Sequence, residues 1–233
     1  TALNFKANLS WLRSTLNRGV FADRGSSQSL GLTFAAPGSD LEFYKLTYQG
    51  EKYFPLTNIF TLKLRTELGF GGSYGDSPSL PFYEHFFAGG FGSIRGFENS
   101  TLGPTSTAPY DANGEQLCFG NRNNGGDPCN QPFGGNLLVE FSAELIFPLP
   151  FVEDNRQFRP AFFFDAGNVF NTECPLVSAN CFDFDTDELR YSAGVGLSWL
   201  SGFGPLTFAI SKPINTKAFD QEESFQFELG KTF

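Results

Sequence analysis

The sequence lacks several features on which common protein functions depend. It contains no methionine, and its single histidine is His85. No apolar run reaches the roughly eighteen residues that a transmembrane helix needs, so such a helix is excluded. Lysine and arginine number 16 against 25 aspartates and glutamates, and the net charge of −9 argues against nucleic acid as a partner. No signal peptide is recognisable and the chain starts at Thr1, so we expect a mature product or a fragment.

Cysteine is also scarce, with four residues that fall into two local pairs in loops rich in Asn, Gly and Asp. Zinc sites would need gaps of about two residues between cysteines, and usually histidines, so no metal site is predicted. We expect two local disulfides, Cys118–Cys129 and Cys174–Cys181. Structural disulfides form in oxidising compartments, which points to the periplasm or the cell surface.

Phenylalanine, by contrast, is abundant. The chain has 30 of them and is 17% aromatic, yet its mean hydropathy is slightly negative at −0.19. Strict alternation of apolar and polar side chains reconciles these facts, as where Phe60, Leu62 and Leu64 alternate with polar neighbours. Such segments lie at 3–11, 30–34, 44–49, 60–67, 83–87, 139–147, 158–165, 189–199, 206–211 and 225–233. The pattern predicts about ten strands and no amphipathic helix.

Two all-β architectures are consistent with this alternation. A soluble β-sandwich hides its apolar face in a core, and its strands are usually about five or six residues long. A transmembrane antiparallel β-barrel turns that face to lipid and needs about nine to eleven residues per strand. The segments here are long, their polar face carries charged and small residues, and tight turns such as 201–205 alternate with long loops. We therefore predict a membrane-spanning barrel.

A long span at about 77–135 shows no strand or helix periodicity. Irregular segments of this length are uncommon in compact domains unless they are functional or disordered. Disordered segments are usually poor in aromatic residues, whereas this one is rich in phenylalanine. It contains the run Phe-Gly-Ser-Ile-Arg-Gly-Phe at 91–97. We expect a loop that packs against something, with Arg95 in need of an anionic partner.

An ordered set of motifs across the whole chain resembles the BamA superfamily of outer-membrane assembly and translocation barrels. The signature is Gly-Gly at 89–90 followed by Ser-Ile-Arg-Gly-Phe at 93–97. The other motifs are Asn-Arg-Gly-Val-Phe at 17–21, Pro-Phe-Tyr-Glu at 81–84, Gly-Gly-Asn at 134–136, Phe-Asp-Ala-Gly at 164–167, Phe-Gln-Phe at 225–227 and Gly-Lys-Thr-Phe at 230–233. The loop cysteines and the last of these motifs favour the outer-membrane protein assembly factors within the superfamily.

The resemblance implies an architecture and a function. The family barrel has sixteen strands preceded by periplasmic POTRA domains, so this chain would be roughly its last ten strands, with POTRA domains and first strands absent. It would assemble and insert β-barrel proteins into the bacterial outer membrane. The implied partners are unfolded outer-membrane protein clients, assembly-complex lipoproteins bound mainly through POTRA domains, and outer-membrane lipid and lipopolysaccharide. An open sheet edge in lipid is very costly, which also indicates a fragment.

Two sites follow from the resemblance. The signature Arg95, with Gly96 and Phe97, would fold into the lumen and pair with Glu144 and Asp165; alternatively Arg95 is a solvated loop arginine. The last strand would carry an insertion signal and form a weak lateral seam. Its residues are Phe225, Phe227, Leu229, Gly230 and Phe233. Gly230 weakens strand pairing, which suits a seam; alternatively this is an ordinary last strand.

Other functions remain as alternatives. A superfamily relative for protein translocation, TamA-like or a two-partner secretion pore, would share the motifs, and a passive porin would share the architecture; a lipase-fused relative would differ only upstream. Enzyme chemistry, a cofactor and a catalytic residue are not predicted, because His85 lies among phenylalanines and suits a packed histidine. The acids at 183–188 could bind calcium but suit a solvated loop.

Overall fold

The computed structural model describes residues 3–107, 130–149, 157–174, 181–202, 204–218 and 220–230. The strands are β1 (Lys6–Ser14), β2 (Gly25–Ala35), β3 (Phe43–Pro55), β4 (Thr61–Ser73), β5 (Gly96–Phe97), β6 (Thr105–Thr107), β7 (Asn130–Pro132), β8 (Leu137–Ile146), β9 (Phe158–Phe170), β10 (Arg190–Ser201), β11 (Gly204–Ile214), β12 (Glu222–Glu223) and β13 (Phe225–Leu229). Single turns of 3-10 helix lie at Phe82–Glu84 and Thr186–Glu188. Within the described ranges, no helix is long and apolar enough to cross a membrane.

Nine strands form one antiparallel sheet in the order β1-β2-β3-β4-β8-β9-β10-β11-β13. Every neighbouring pair is antiparallel, and β4 pairs with β8 across the long loop. The sheet as described is open, with β1 and β13 at its edges. The all-β fold, as part of an antiparallel barrel, is confirmed.

The predicted short strand at 83–87 is wrong, which leaves nine strands in the sheet rather than about ten. Residues Phe82–Glu84 form a 3-10 turn, and Phe86 makes only an isolated bridge to Gly135. The Phe86 N–H donates to the Gly135 carbonyl at 2.8 Å, and a side chain on Gly69 of β4 would collide with the Phe86 ring. The alternation here therefore reflects packing of the loop on the sheet.

The sheet exposes apolar side chains on one face and buries polar side chains on the other, which is the reverse of the arrangement in a soluble protein. One register row carries apolar side chains across five strands. Its members are Leu145, Phe162, Val195, Ile210 and Phe225. Phe162 is 54% exposed and Ile210 is 60% exposed, whereas the opposite face buries Glu144, Asp165 and Ser192. An apolar outer face and a polar inner face are what a lipid-embedded barrel wall requires.

The connections differ between the two ends of the sheet. One end has the segments 15–24, 56–60, 147–157 and 202–203, and the other has 36–42, 74–136, 171–189 and 215–224. The 171–189 connection contains the Cys174–Cys181 disulfide. The predicted Cys118–Cys129 pair lies outside the described residues. The longest connections therefore share one rim, as in an outer-membrane barrel.

A charge on the outer face should destabilise the protein. Phe162→Arg places a guanidinium among apolar side chains that face lipid, which costs about 2–4 kcal/mol near the bilayer midplane. Urea unfolding of the complete protein in lipid vesicles measures this loss. The control is Gln49→Arg on the inner face of β3, where Gln49 bonds Glu67. Equal stability of the two variants would contradict this assignment of the faces.

Candidate functional site

The long loop returns to the inner face and builds an apolar core there. Its buried side chains pack against two residues of the sheet, Leu138 of β8 and Val169 of β9. The loop members of this cluster are Phe86, Ala88, Ile94, Phe97 and Leu102. The apolar side chains of the strands point mostly outward and cannot cover the inner face. The loop therefore supplies most of the apolar surface there.

A tight turn at 89–93 positions the signature arginine. Gly89 and Gly90 have φ values of +101° and +98°, a backbone conformation that side chains disfavour. The Gly89 N–H donates to the Ser93 hydroxyl at 2.8 Å, and that hydroxyl donates to Glu140 of β8. Arg65 of β4 donates to the Ser93 carbonyl at 3.0 Å. The turn is thereby fixed to two neighbouring strands just before Arg95.

Arg95 is 3% exposed and contacts Asp165 through three donors. Nε donates to Oδ2 and Nη2 donates to Oδ1, both at 2.7 Å, which is the bidentate geometry of a guanidinium on a carboxylate. The backbone N–H of Arg95 donates to Oδ2 at 3.1 Å. Ser142 joins the network: it accepts from Nη2 at 3.1 Å and donates to Asp165 Oδ1 at 2.6 Å. Asp165 is fully buried by these contacts.

Glu144 completes the site on the neighbouring strand. Its Oε1 lies 3.0 Å from Arg95 Nη1, and its Oε2 lies 3.5 Å from the Lys63 Nζ. The Phe163 ring lies 3.6 Å from the Arg95 guanidinium carbon, a cation–π contact. We call Arg95, Asp165 and Glu144 together the arginine brace. The structure thus brings together the three residues that the sequence proposed as partners.

The charges in and beside the brace are balanced. Arg95 and Lys63 carry two positive charges, and Asp165 and Glu144 carry two negative charges, so no net charge is buried. Burial alone lowers the pKa of the Arg95 guanidinium, but the Asp165 and Glu144 carboxylates outweigh it and raise the pKa above its ordinary value. A buried ion pair survives only when its geometry and hydrogen bonds are good, as they are for Arg95 with Asp165.

Three supporting residues were missed by the sequence analysis. Ser142 and Phe163 touch Arg95 directly, and Lys63 contacts Glu144. Strand alternation places Ser142 and Lys63 on the inner face with Glu144, but it does not show which residues they contact. Phe163 breaks the alternation of apolar residues on β9, and its ring occupies space that a side chain on Gly194 would fill.

Gly96 and Phe97 follow the brace and lie against the wall. Gly96 has φ +94°, and a Cβ there would lie 3.2 Å from the Ser211 hydroxyl and 3.3 Å from Pro213 Cγ. Phe97 is fully buried in the loop core. The two residues form β5, which pairs with β12 just before the last strand.

The last strand has two distinct faces. Phe225, Phe227 and Leu229 are all more than half exposed on the outer face, and Gln226 is buried on the inner face. Gly230 has φ +93° and its N–H donates to the Pro205 carbonyl at 2.8 Å. The predicted site residue Phe233 lies outside the described residues. Buried Gln226 was not among the predicted site residues.

His85 and acids within 183–188 have partners within the protein. Both ring nitrogens of His85 lie near carbonyl oxygens, that of Phe133 at 3.0 Å and that of Leu80 at 3.2 Å. Asp185 accepts from the Asp187 N–H at 2.9 Å, and Glu188 pairs with Arg190 at 3.1 Å. Among the described residues, no group of three or more His, Cys, Asp or Glu side chains could hold a metal ion.

Known proteins resemble this chain in sequence and in structure. The Omp85 superfamily domain matches residues 1–233. The outer membrane protein assembly factor BamA of Neisseria meningitidis is 35% identical over 245 residues, covering 98% of this chain and 29% of that protein. A SAM50-like protein of Schizosaccharomyces pombe is 25% identical over 207 residues, covering 84% of this chain and 37% of that protein.

Among solved structures, the crystal structure of BamA from Haemophilus ducreyi lacking POTRA domains 1–3 superposes with a TM-score of 0.83 at 34% identity. The match covers 96% of this chain and 41% of that one. The chain therefore spans well under half the length of the relatives that it matches.

Asp165 and Glu144 should contribute differently to the stability of the protein. Removing one partner of a buried ion pair costs about 3–5 kcal/mol. Asp165→Asn is expected to fall in this range because Asp165 receives three donors from Arg95. Glu144→Gln should cost less, since Glu144 makes one contact with Arg95 and a longer one, at 3.5 Å, with Lys63. Urea unfolding of the complete protein and protease cleavage within 77–135 measure the two losses.

Glu67→Gln is the matched control for these substitutions. Glu67 lies on the inner face of β4 and bonds Gln49 of β3 at 2.9 Å rather than a residue of the loop. We expect near-wild-type stability and loop protection for this variant. A loss in Glu144→Gln as large as that in Asp165→Asn would contradict the dominance of Asp165.

Proposed function

Because the chain belongs to the Omp85 superfamily, we propose that it is the C-terminal barrel part of an outer-membrane protein assembly factor. In this proposal the complete protein inserts β-barrel clients into the bacterial outer membrane. The match to BamA over nearly the whole chain supports this branch over a translocation relative or a porin. The proposed mechanism uses strand pairing and membrane deformation, without a cofactor or enzyme chemistry.

The short last strand is the observation that carries the proposed mechanism. β13 has 5 residues, while the other eight strands of the sheet have 9 to 13. Its ladder with β11 runs from Leu206–Leu229 to Ile210–Phe225, with one further backbone bond beyond each end. A short ladder has few hydrogen bonds to break. The edge of β13 is therefore suited to act as a lateral seam, where a client strand is added by β-augmentation.

The length of β13 also supports local thinning of the membrane. Five residues at about 3.4 Å each span about 17 Å. The apolar band of an outer-membrane barrel is about 25 Å tall, so the described part of this strand is shorter than the lipid that it faces. Lipid next to a short apolar wall thins, at a modest free-energy cost. A thinner bilayer beside the seam would lower the barrier for an inserting client.

The proposed partners follow from this role. Unfolded outer-membrane proteins would dock at the edge of β13, and outer-membrane lipid and lipopolysaccharide would surround the apolar face. Assembly-complex lipoproteins would bind mainly through POTRA domains of the complete protein. The arginine brace would keep the loop at 77–135 packed on the inner face throughout this cycle.

Loss of the brace should impair assembly. In the complete protein, Arg95→Ala removes every side-chain contact to Asp165 and Glu144, so the loop should become protease-sensitive. Client folding should slow at least about tenfold, which corresponds to about 1.4 kcal/mol in the activation free energy. Arg95→Lys should restore little, because an ammonium cannot reproduce the bidentate contact. Client folding is measured by heat-modifiable migration in gels after depletion of the native protein.

Arg24→Ala is the control, since the Arg24 side chain is 73% exposed and lies 3.8 Å from Asp23. Normal client folding with Arg95→Ala would count against the proposed role of the brace. Secretion of a soluble client through a closed seam would instead favour a secretion pore. Conductance without any assembly defect would favour a porin.

The seam should contact clients directly. A photo-crosslinking amino acid at Phe227 of β13 should capture client strands during assembly. The same group at Phe162 of β9 should not, although both side chains lie on the outer face and are 54% exposed. Mass spectrometry of the crosslinked products identifies the client. Equal capture at the two positions would argue against insertion at the last strand.

A further inference from the structure

The terminal segment, residues 220–230, divides its backbone pairing between two partners. Its second part, β13, pairs with β11, and one further bond runs from the Ser211 N–H to the Ser224 carbonyl at 2.9 Å. Its first part, β12, pairs instead with β5 of the loop, with Glu222 opposite Phe97. The Glu98 N–H donates to the Gln221 carbonyl at 2.9 Å. The terminal segment therefore changes partner at Ser224.

A proline explains where the wall ladder ends. The register of β11 and β13 would place Pro213 opposite Glu222. In an antiparallel strand, every second residue directs its N–H to the same neighbour. The Ser211 N–H points to the terminal segment, so the position of Pro213 faces that segment as well. Proline has no N–H to donate, so the Glu222 carbonyl could not accept the ladder bond expected at this pair.

The Gln226 side chain joins the loop to the last strand. It is 4% exposed on the inner face of β13. Its Oε1 accepts from the Gly96 N–H at 3.3 Å, and its Nε2 donates to the Phe97 carbonyl at 2.7 Å. Nε2 also donates to Glu223 Oε2 at 3.1 Å. One amide thus contacts both residues of β5 and one residue of β12.

The arginine brace is directly connected to this junction. Gly96 follows Arg95, so the guanidinium contact with Asp165 determines where β5 begins. A Cβ at Gly96 would lie 3.3 Å from Pro213 Cγ, which shows how closely β5 approaches β11. The brace, β5 and the terminal segment form one continuous chain of contacts.

We infer that Gln226 is a positioning residue that couples the arginine brace to the last strand. The contacts of Gln226 with β5 and the pairing of β5 with β12 together form what we call the latch. The latch holds residues 221–223 on the loop and away from β11, which keeps β13 short. This inference rests on the proposed function in one respect: the last strand must be the strand that meets clients. The latch itself is a property of the free protein.

A disulfide reporter measures the latch without any client. In Glu98→Cys/Gln221→Cys, the two cysteines replace residues joined by a backbone hydrogen bond. The Cα atoms of such pairs lie about 5.5 Å apart, within the range for a disulfide. Adding Gln226→Leu removes three side-chain hydrogen bonds at similar size, so the crosslinking rate should fall at least about tenfold. The complete protein in lipid vesicles is used, and mass spectrometry maps the disulfide.

Gln49→Leu is the matched control, because Gln49 is an inner-face glutamine that bonds Glu67 and not the loop. It should leave the crosslinking rate unchanged. Gln226→Glu, which keeps the acceptor but loses both donor contacts, should behave like Gln226→Leu. Unchanged crosslinking in Gln226→Leu would overturn the latch.

Pro213→Ala tests the same coupling from the wall. The substitution restores an N–H opposite Glu222, so residues 221–223 should shift towards β11 and the crosslinking rate should fall several-fold. The arginine brace keeps its partners, so cleavage within 77–135 should stay near wild type, which separates this effect from misfolding. A crosslinking rate equal to that of Glu98→Cys/Gln221→Cys with Pro213 intact would overturn the assigned role of Pro213.

Client folding then tests the functional part of the inference. Gln226→Leu should slow client folding several-fold, while Gln49→Leu should not. Reduced crosslinking with normal client folding would overturn the coupling to function. A wild-type protein that does not promote client folding would count against the proposed assembly function. The crosslinking rates would still show whether the latch exists.

Discussion

The buried contact of the Arg95 guanidinium with Asp165 and Glu144 holds the long loop against the inner face of the sheet. The sheet needs this cover because its apolar side chains face outward, which leaves carboxylates and hydroxyls on the inside. In a confined interior these groups need partners, since an unpaired buried polar group is costly. The loop supplies both an ion-pair partner and an apolar core.

The same contact reaches the last strand through the backbone. Arg95 places β5, β5 pairs with β12, and Gln226 joins both to β13. The arginine brace on β8 and β9 is thereby connected to the edge strand β13, which is the third strand after β9 in the sheet. The terminal segment thus has a short edge strand, β13, preceded by residues that pair with the loop. This arrangement suits a protein whose proposed function is to exchange strand partners.

The sequence predicted much of the wall and part of the site. Period-two alternation identified the two faces and placed Glu144 on the inner one; family resemblance then linked Arg95 to Glu144 and Asp165. The segment at 83–87 was misassigned because Phe86 packs on Gly69, and a loop that packs on a sheet can show the same alternation as a strand. Ser142 lies on the predicted inner face, but alternation does not reveal contacts.

The sequence by itself determined the direction in which each strand side chain points, because alternation is a local property of extended backbone. It also placed a residue without an N–H at position 213, but only the register of β11 with β13 shows that this residue faces the terminal segment. Only the tertiary structure decided that the freed residues pair with β5 and that Gln226 bonds both Gly96 and Phe97. Those partners lie 130 and 129 positions apart in the chain. Contacts over such separations depend on how the loop folds back, which no local pattern encodes.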